Sequence, residues 1–279
     1  MDISKEIKNK GQKFWDQNPC GGEWTSFEKK LDWLIKTEPY ILDWIRDDLL
    51  KNKYVLDVGC GQGLITSLIA KKCKRVIGLD LSQESLKQAQ KGLKEIGVTN
   101  AEFILGDAEN LPFADNTFDT IYSIGVLHHT PNTQKGINEI HRVLKKNGKT
   151  IIMLYRKYTP KWFAIIILRF FSKFLDFIFG KEYWLLNKLR NSKKYYNSQL
   201  GTAALELFGC PTLKAYSPYE IRKMFSYFRS DKLFYFQPGF ARILDFIPIF
   251  KIPFNTIFRW FDNHTKRLFG FYVVIELGK

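Results

Sequence analysis

Hydrophobic and polar positions change register in blocks between residues 54 and 155, and the blocks read as alternating strands and helices. Val55 to Val58 is a short apolar run of buried-strand length, and Gly59, Gly61 and Gly63 follow it as a tight turn free of side chains. Leu64 to Ala70 continues as an apolar helix start. A second strand, Val76 to Asp80, ends in an acid, and Ser82 is a good N-cap for a helix over Gln83 to Ile96, with Gly97 as its stop. Glu102 to Leu105 is a third strand, leading to Asp107, Ala108 and Glu109. Asp115-Asn116 reads as a turn and Phe118 to Ile124 as the fourth strand. Gln134 to Leu144 is a helix with Ile137, Ile140 and Leu144 on one face, Lys145 to Gly148 is a helix stop and turn, and Thr150 to Tyr155 is the fifth strand. Strands that alternate with helices predict an α/β fold with a doubly wound parallel sheet.

A strand, a glycine turn and a helix place backbone N–H groups toward a ligand at a helix N-terminus. The dinucleotide fingerprint G-x-G-x-x-G fails here, because the third glycine arrives one residue early and Leu64 stands where that pattern needs glycine. Asp80 lies 17 residues after Gly63, about where a carboxylate meets a pair of ribose hydroxyls.

Six segments carry a resemblance. Leu56 to Gly63, Gly78 to Ser82, Gly106 to Phe113, Phe118-Asp119, Gly125 to Pro131 and Glu139 to Gly148 together resemble the class I S-adenosylmethionine-dependent methyltransferases, in the type 11 methyltransferase-domain family. The resemblance implies a seven-stranded, mostly parallel, Rossmann-like sheet with an antiparallel last strand, for which Phe234 to Phe236 and Phe271 to Leu277 are the final two strands. It implies S-adenosylmethionine as cofactor. Gly59, Cys60, Gly61 and Gly63 would pack against its methionine portion and ribose, and Asp57 would orient its ammonium. Asp80 would accept from the ribose hydroxyls with Leu81 against the adenine, and Asp107 would accept from the adenine amine with Ala108 beside it. Ser123 and Gly125 end the fourth strand at the ligand-binding edge of the sheet. Candidate catalytic groups are His128 and His129, as a general base, and Tyr155, lining the acceptor pocket. No cluster has the spacing of a metal site, so no metal is expected.

The chain divides into an N-terminal aromatic and helical cap (1–53), a cofactor-binding core (54–155), a basic, apolar helical insertion (156–230) and the final strands (231–279), which carry a second apolar insertion at about 238–269. In the cap, Glu38 to Leu50 has Leu42, Ile45 and Leu49 at helical spacing. The family often closes this segment over cofactor and acceptor, which makes Trp15, Trp24 and Tyr40 lid candidates; their plain alternative is packing. The first insertion opens with Pro160 to Gly180, a very apolar helix with Arg169, Ser172, Lys173 and Asp176 as a narrow polar stripe. Residues 156–200 hold ten basic side chains against two acids.

Composition then bears on the partner. The 279 residues carry a formal charge of +15, and most of the 24 phenylalanines follow residue 160. Cations interleaved with aliphatic bulk suit an anionic membrane surface better than nucleic acid, which wants exposed stacking positions. A buried helical subdomain or a homodimer contact is the alternative use. Four cysteines without a C-x-x-C pair read as reduced thiols, and no signal peptide or spanning segment is visible, so the expected location is the cytoplasm, with the inner membrane face as a place of peripheral contact. The expectation is a methyltransferase for a hydrophobic, lipid-like or quinone-like acceptor at the membrane surface. Its rivals are a soluble small-molecule methyltransferase of specialised or sugar metabolism and a cofactor-binding regulatory or scaffold protein without methyl transfer.

Overall fold

The structure is a computed structural model, and it describes residues 3–19, 25–190, 208–236, 265 and 270–279. Its strands are β1 (Tyr54–Val58), β2 (Arg75–Asp80), β3 (Ala101–Leu105), β4 (Phe118–Ile124), β5 (Leu144–Tyr155), β6 (Ser230–Phe236) and β7 (Tyr272–Gly278). They form one sheet in the order β3-β2-β1-β4-β5-β7-β6. All neighbours from β3 to β5 run parallel, and β7 is antiparallel to both β5 and β6. The order reverses between β1 and β4, the crevice where open α/β sheets bind ligands.

The helices are α1 (Ile3–Gln17), α2 (Phe27–Thr37), α3 (Asp47–Leu50), α4 (Leu64–Ala70), α5 (Gln83–Glu95), α6 (Thr133–Val143), α7 (Pro160–Phe179), α8 (Trp184–Arg190) and α9 (Pro218–Met224). Side-chain alternation along the strands feeds two cores. Val55, Val76, Ile151, Met153 and Tyr155 face the cap and α4. Leu56, Val58, Ile77, Ile152 and Leu154 face α6 and α9. Both faces of the sheet are covered, which is why the parallel strands are apolar on consecutive positions. Ser82 caps α5 by accepting from the Ser85 N–H, and Gly97 (φ 73°) ends it as the pattern predicts.

Two local expectations are corrected. Glu38 to Leu50 is not one helix. Pro39–Trp44 is a 3₁₀ turn, Ile45 leaves the helical region, and α3 restarts at Asp47. The Tyr122 and Thr120 hydroxyls of β4 donate to the Trp44 and Leu49 carbonyls at 2.7 and 2.6 Å, drawing them into the core. Ile45 and Leu49 are buried as expected, whereas Leu42 points to solvent. Lys145 to Gly148 is not a simple turn between elements but a bulge inside β5. Leu144 pairs with Phe118, and pairing resumes at Lys149 with Thr120. Asn147 takes the left-handed conformation (φ 63°) at its tip, and the Lys279 backbone closes it.

Trp24, Cys20 and the second apolar insertion lie outside the described residues. Among the described residues no helix is long and apolar enough to cross a membrane.

Candidate active site

The carboxyl ends of β1, β2, β3 and β4 bring Asp57, Asp80, Asp107 and Ser123 to one edge of the sheet. Gly59, Gly61 and Gly63 all have positive φ (73°, 52° and 78°). A Cβ on Gly59 would sit 2.3 Å from Val126, whereas one on Gly61 would meet nothing within 4 Å. The turn is therefore packed on its inner side and open at Gly61, a cradle for a ligand that needs close backbone approach.

One part of the sequence reading is corrected here. The N–H groups of Gly59, Cys60, Gly61 and Gly63 do not face outward. Those of Gly59 and Cys60 both donate to the Leu79 carbonyl, at 2.6 and 3.0 Å, and that of Gly63 donates to Cys60. The Gly61 N–H donates to Asp80 Oδ2 at 2.8 Å. The turn sits between β1 and β2 and continues their hydrogen bonding, so its donors serve the fold. What it offers a ligand is bare backbone and carboxylates. Cys60 is buried, with its thiol pushed well above the ordinary range by burial and by the nearby Asp80 and Asp57.

Asp57 is 2% exposed, and its Oδ2 accepts from the Thr66 hydroxyl at 2.6 Å. Burial raises its carboxyl to about 7, against the pull of the Thr66 bond and with a contribution from Asp80. Asp80 is also raised by burial, although backbone N–H groups of Ser82, Gly61 and Leu81 pull it the other way. Its Oδ1 accepts from Ser82 N and its Oδ2 from Gly61 N, which fixes the carboxylate and leaves each oxygen a second lone pair. Leu81 is half-buried next to the Asp80 carboxylate, and Ala108 is buried beside Gly136. Ser123 Oγ is fully buried with no hydrogen-bond partner among the described residues.

Helix α1 lies across this edge. Lys8 Nζ meets Asp107 Oδ2 at 2.6 Å and Glu109 Oε2 at 2.8 Å. Burial pulls the Lys8 ammonium down, and its bonds to Asp107 and Glu109 outweigh that and hold it above its usual value. Asp107 Oδ1 accepts from Glu109 N, and Glu109, almost fully buried, also accepts from Asn132 N. Two turns further along α1, Asp16 accepts from the Ser82 hydroxyl at 2.8 Å, and Trp15 packs edge-on to His129 at 5.4 Å. Of the lid candidates, Trp15 thus lies over the site, while Tyr40 packs on Trp44 within the cap. No periodicity marks Lys8, Asp16 or Thr66 as site residues, whereas Glu109 falls within the Gly106 to Phe113 motif.

His128, His129 and Tyr155 are brought together and differ in character. His128 is fully buried and stacked on Tyr155 at 3.7 Å; its pKa is held far below normal by burial, the neighbouring His129 adds to the shift, and the Met153 backbone opposes it. Tyr155 is buried between His128 and Phe271. His129 Nδ1 lies 2.9 Å from the Thr212 carbonyl, an acceptor only, so Nδ1 carries the proton and Nε2 the lone pair. Burial lowers its pKa to about 4, the Thr212 bond opposes this, and the Arg169 charge adds to it. The Cys210 thiol donates to the same carbonyl at 2.9 Å, and Arg169 donates to the Cys210 carbonyl at 2.8 Å. The first insertion therefore sets the tautomer of a half-buried histidine at the strand ends, which no spacing in the sequence announced.

Residues 56–152 match the family model described as a methyltransferase domain. A demethylmenaquinone methyltransferase of Geobacillus sp. is 32% identical over 160 residues, covering 56% of this chain and 65% of that protein. The ubiquinone/menaquinone biosynthesis C-methyltransferase UbiE of Rickettsia prowazekii is 35% identical over 134 residues, covering 45% and 52%. The chain thus spans less than two thirds of the length of these curated relatives. In three dimensions it is similar to an S-adenosylmethionine-dependent methyltransferase of Thermotoga maritima, with a TM-score of 0.51, 16% identity, and coverage of 96% of this chain and 99% of that one.

Proposed function

We propose that this chain, whose residues 56–152 are a class I S-adenosylmethionine-dependent methyltransferase domain, methylates a small hydrophobic, quinone-like acceptor met at a membrane surface. The observation that carries the reading is the row of carboxylates at the ends of β1, β2 and β3, beside a glycine cradle open at Gly61. That row of acceptors suits a ligand whose donors are an ammonium, a pair of ribose hydroxyls and an adenine amine. Asp57 takes the ammonium, Asp80 uses its free lone pairs for the ribose hydroxyls with Leu81 along the base, and Asp107 takes the adenine amine beside Ala108. Gly59, Cys60, Gly61 and Gly63 form the floor, and the buried Ser123 hydroxyl at the end of β4 offers the cofactor a further polar contact. When bound, the cofactor supplies an electrophilic sulfonium methyl.

The remaining work falls to side chains of this chain. His129 Nε2 takes the proton of an acceptor hydroxyl, held ready by the Nδ1–H bond to Thr212. Trp15 and α1 exclude water over the site. Tyr155 and His128 form the aromatic wall behind His129. The quinone-like acceptor is supported by the two quinone-pathway relatives, and the basic, apolar 156–230 segment supports a membrane-held substrate.

The test uses S-adenosylmethionine labelled in its methyl group, incubated with the purified chain and host extract and then partitioned between organic and aqueous phases. Protein-dependent label in the organic phase is expected. Label confined to the aqueous phase would contradict the acceptor class, and bound cofactor without any transfer would contradict methyl transfer itself.

A further inference from the structure

Helix α7 is turned inside out relative to a helix that packs on a core. Three of the four residues of its polar stripe, Arg169, Ser172 and Asp176, face the protein, and Lys173 lies at the exposed edge. Arg169 donates to the Cys210 carbonyl, Asp176 accepts from the Tyr183 and Trp184 N–H groups at 3.1 and 2.8 Å, and Ser172 is buried beside Ile165. The opposite side is apolar and open to solvent. Ile167, Phe170 and Phe177 are 67%, 76% and 84% exposed, with Phe163, Phe174 and Ile178 exposed among them. At 3.6 residues per turn these six positions lie within about 100° of one another around a rod of about 30 Å. An apolar surface of this extent on a soluble face marks an interaction site.

The fringe of this surface identifies what it meets. Lys173 is exposed on α7, and just past its end Lys181, Trp184, Asn187 and Lys188 line a hollow of about 320 Å³. Trp184 stacks on Phe179 at 4.2 Å, and the Lys188 ammonium lies 4.6 Å above its ring. Asp176 spends both oxygens on backbone N–H groups, so Glu182 is the remaining acid in the segment from Pro160 to Arg190. Apolar bulk, an interfacial tryptophan and lysines at one end are the ingredients of a helix lying in the headgroup region of an anionic bilayer. A second copy of this chain is the poorer match, because pairing the same surface would bring these lysines together on two molecules that each carry +15.

We infer that the outward face of α7 docks into an anionic lipid bilayer, with Lys173, Lys181 and Lys188 meeting lipid phosphates. This deepens, and rests on, the proposed membrane-surface function: Arg169 joins the docked helix to the Cys210–Thr212 segment that holds His129.

Sedimentation with sucrose-loaded vesicles tests it, comparing phosphatidylcholine alone with an equal mixture of phosphatidylcholine and phosphatidylglycerol. The chain is expected to sediment with the mixed vesicles and not with the neutral ones. Phe170→Glu with Phe177→Glu should lower the partition coefficient by about tenfold or more. Lys181→Glu with Lys188→Glu should lower it by about fivefold for each charge removed. Both double variants should keep wild-type melting temperatures, cofactor affinity and turnover on a short-chain, water-soluble acceptor. No sedimentation of the wild-type chain would overturn the inference while leaving methyl transfer standing. A concentration-dependent dimer that the phenylalanine variant abolishes would overturn it in favour of a second copy. A marked fall in melting temperature for that variant would mean the face is packed against this chain, which also overturns it.

Discussion

Asp57 holds a carboxyl at the end of β1 with almost no access to water, and burial raises it to about 7. The native value lies above the ordinary 3.8, so between these pH values the folded chain holds a proton that the unfolded chain has released. Its contribution to stability is therefore full at the acid end of that window and is lost as pH rises through about 7. A cationic ligand reverses the preference and drives the proton out. Cofactor binding at about pH 6 should release close to one proton, seen by calorimetry in buffers of different ionisation heat, and Asp57→Asn should abolish the release. The two histidines separate in the same way. His128→Phe preserves the stack on Tyr155 and should leave turnover within about threefold, whereas His129→Ala removes the proposed base and should cost about 10²- to 10⁴-fold in kcat. With His129 lowered to about 4, the acid limb of the kcat/KM profile should fall near that value and not near 6.5. A limb near 6.5 would mean that another group carries the proton.

At the scale of elements, α1 acts as a strap across the strand ends, and its Lys8 occupies the carboxylate that the adenine amine would use. The pair is partly exposed, so breaking it costs little, about 0–1 kcal/mol. Lys8→Met should therefore tighten binding of S-adenosylmethionine by about two- to fivefold, measured by calorimetry. It should also lower stability by about 1–3 kcal/mol, because the buried Glu109 loses its cation. Unchanged affinity would show that Lys8 does not compete for Asp107. The strap was not legible in the sequence, since Lys8 meets Asp107 across 99 positions and nothing local marks either partner for the other. By contrast, the strand, turn and helix over Tyr54–Ala70 was legible, because each glycine with positive φ carries its own local signal. What stayed hidden was where the turn's N–H groups point, a matter of the neighbouring strand. The break at Ile45 was hidden for the same reason, since hydroxyls from β4 decide it.

At the scale of the molecule, the helical cap and the insertion converge on one edge of the sheet. α1 covers the acids from one side, and the Arg169–Cys210–Thr212 chain supports His129 from the other. The apolar pattern of Pro160–Phe179 was plain in the sequence, and its orientation was not, because periodicity gives the width of a polar stripe and not which side meets the protein. The central claim is that the strand-end carboxylates are the cofactor site. Its most direct test is titration calorimetry of S-adenosylmethionine into the wild-type chain and Asp80→Ala. Loss of a charge-assisted hydrogen bond predicts binding weaker by about 1.5–3 kcal/mol with the fold intact by circular dichroism. Equal affinity in the two proteins would contradict the assignment of Asp80 and, with it, the placement of the cofactor along this edge.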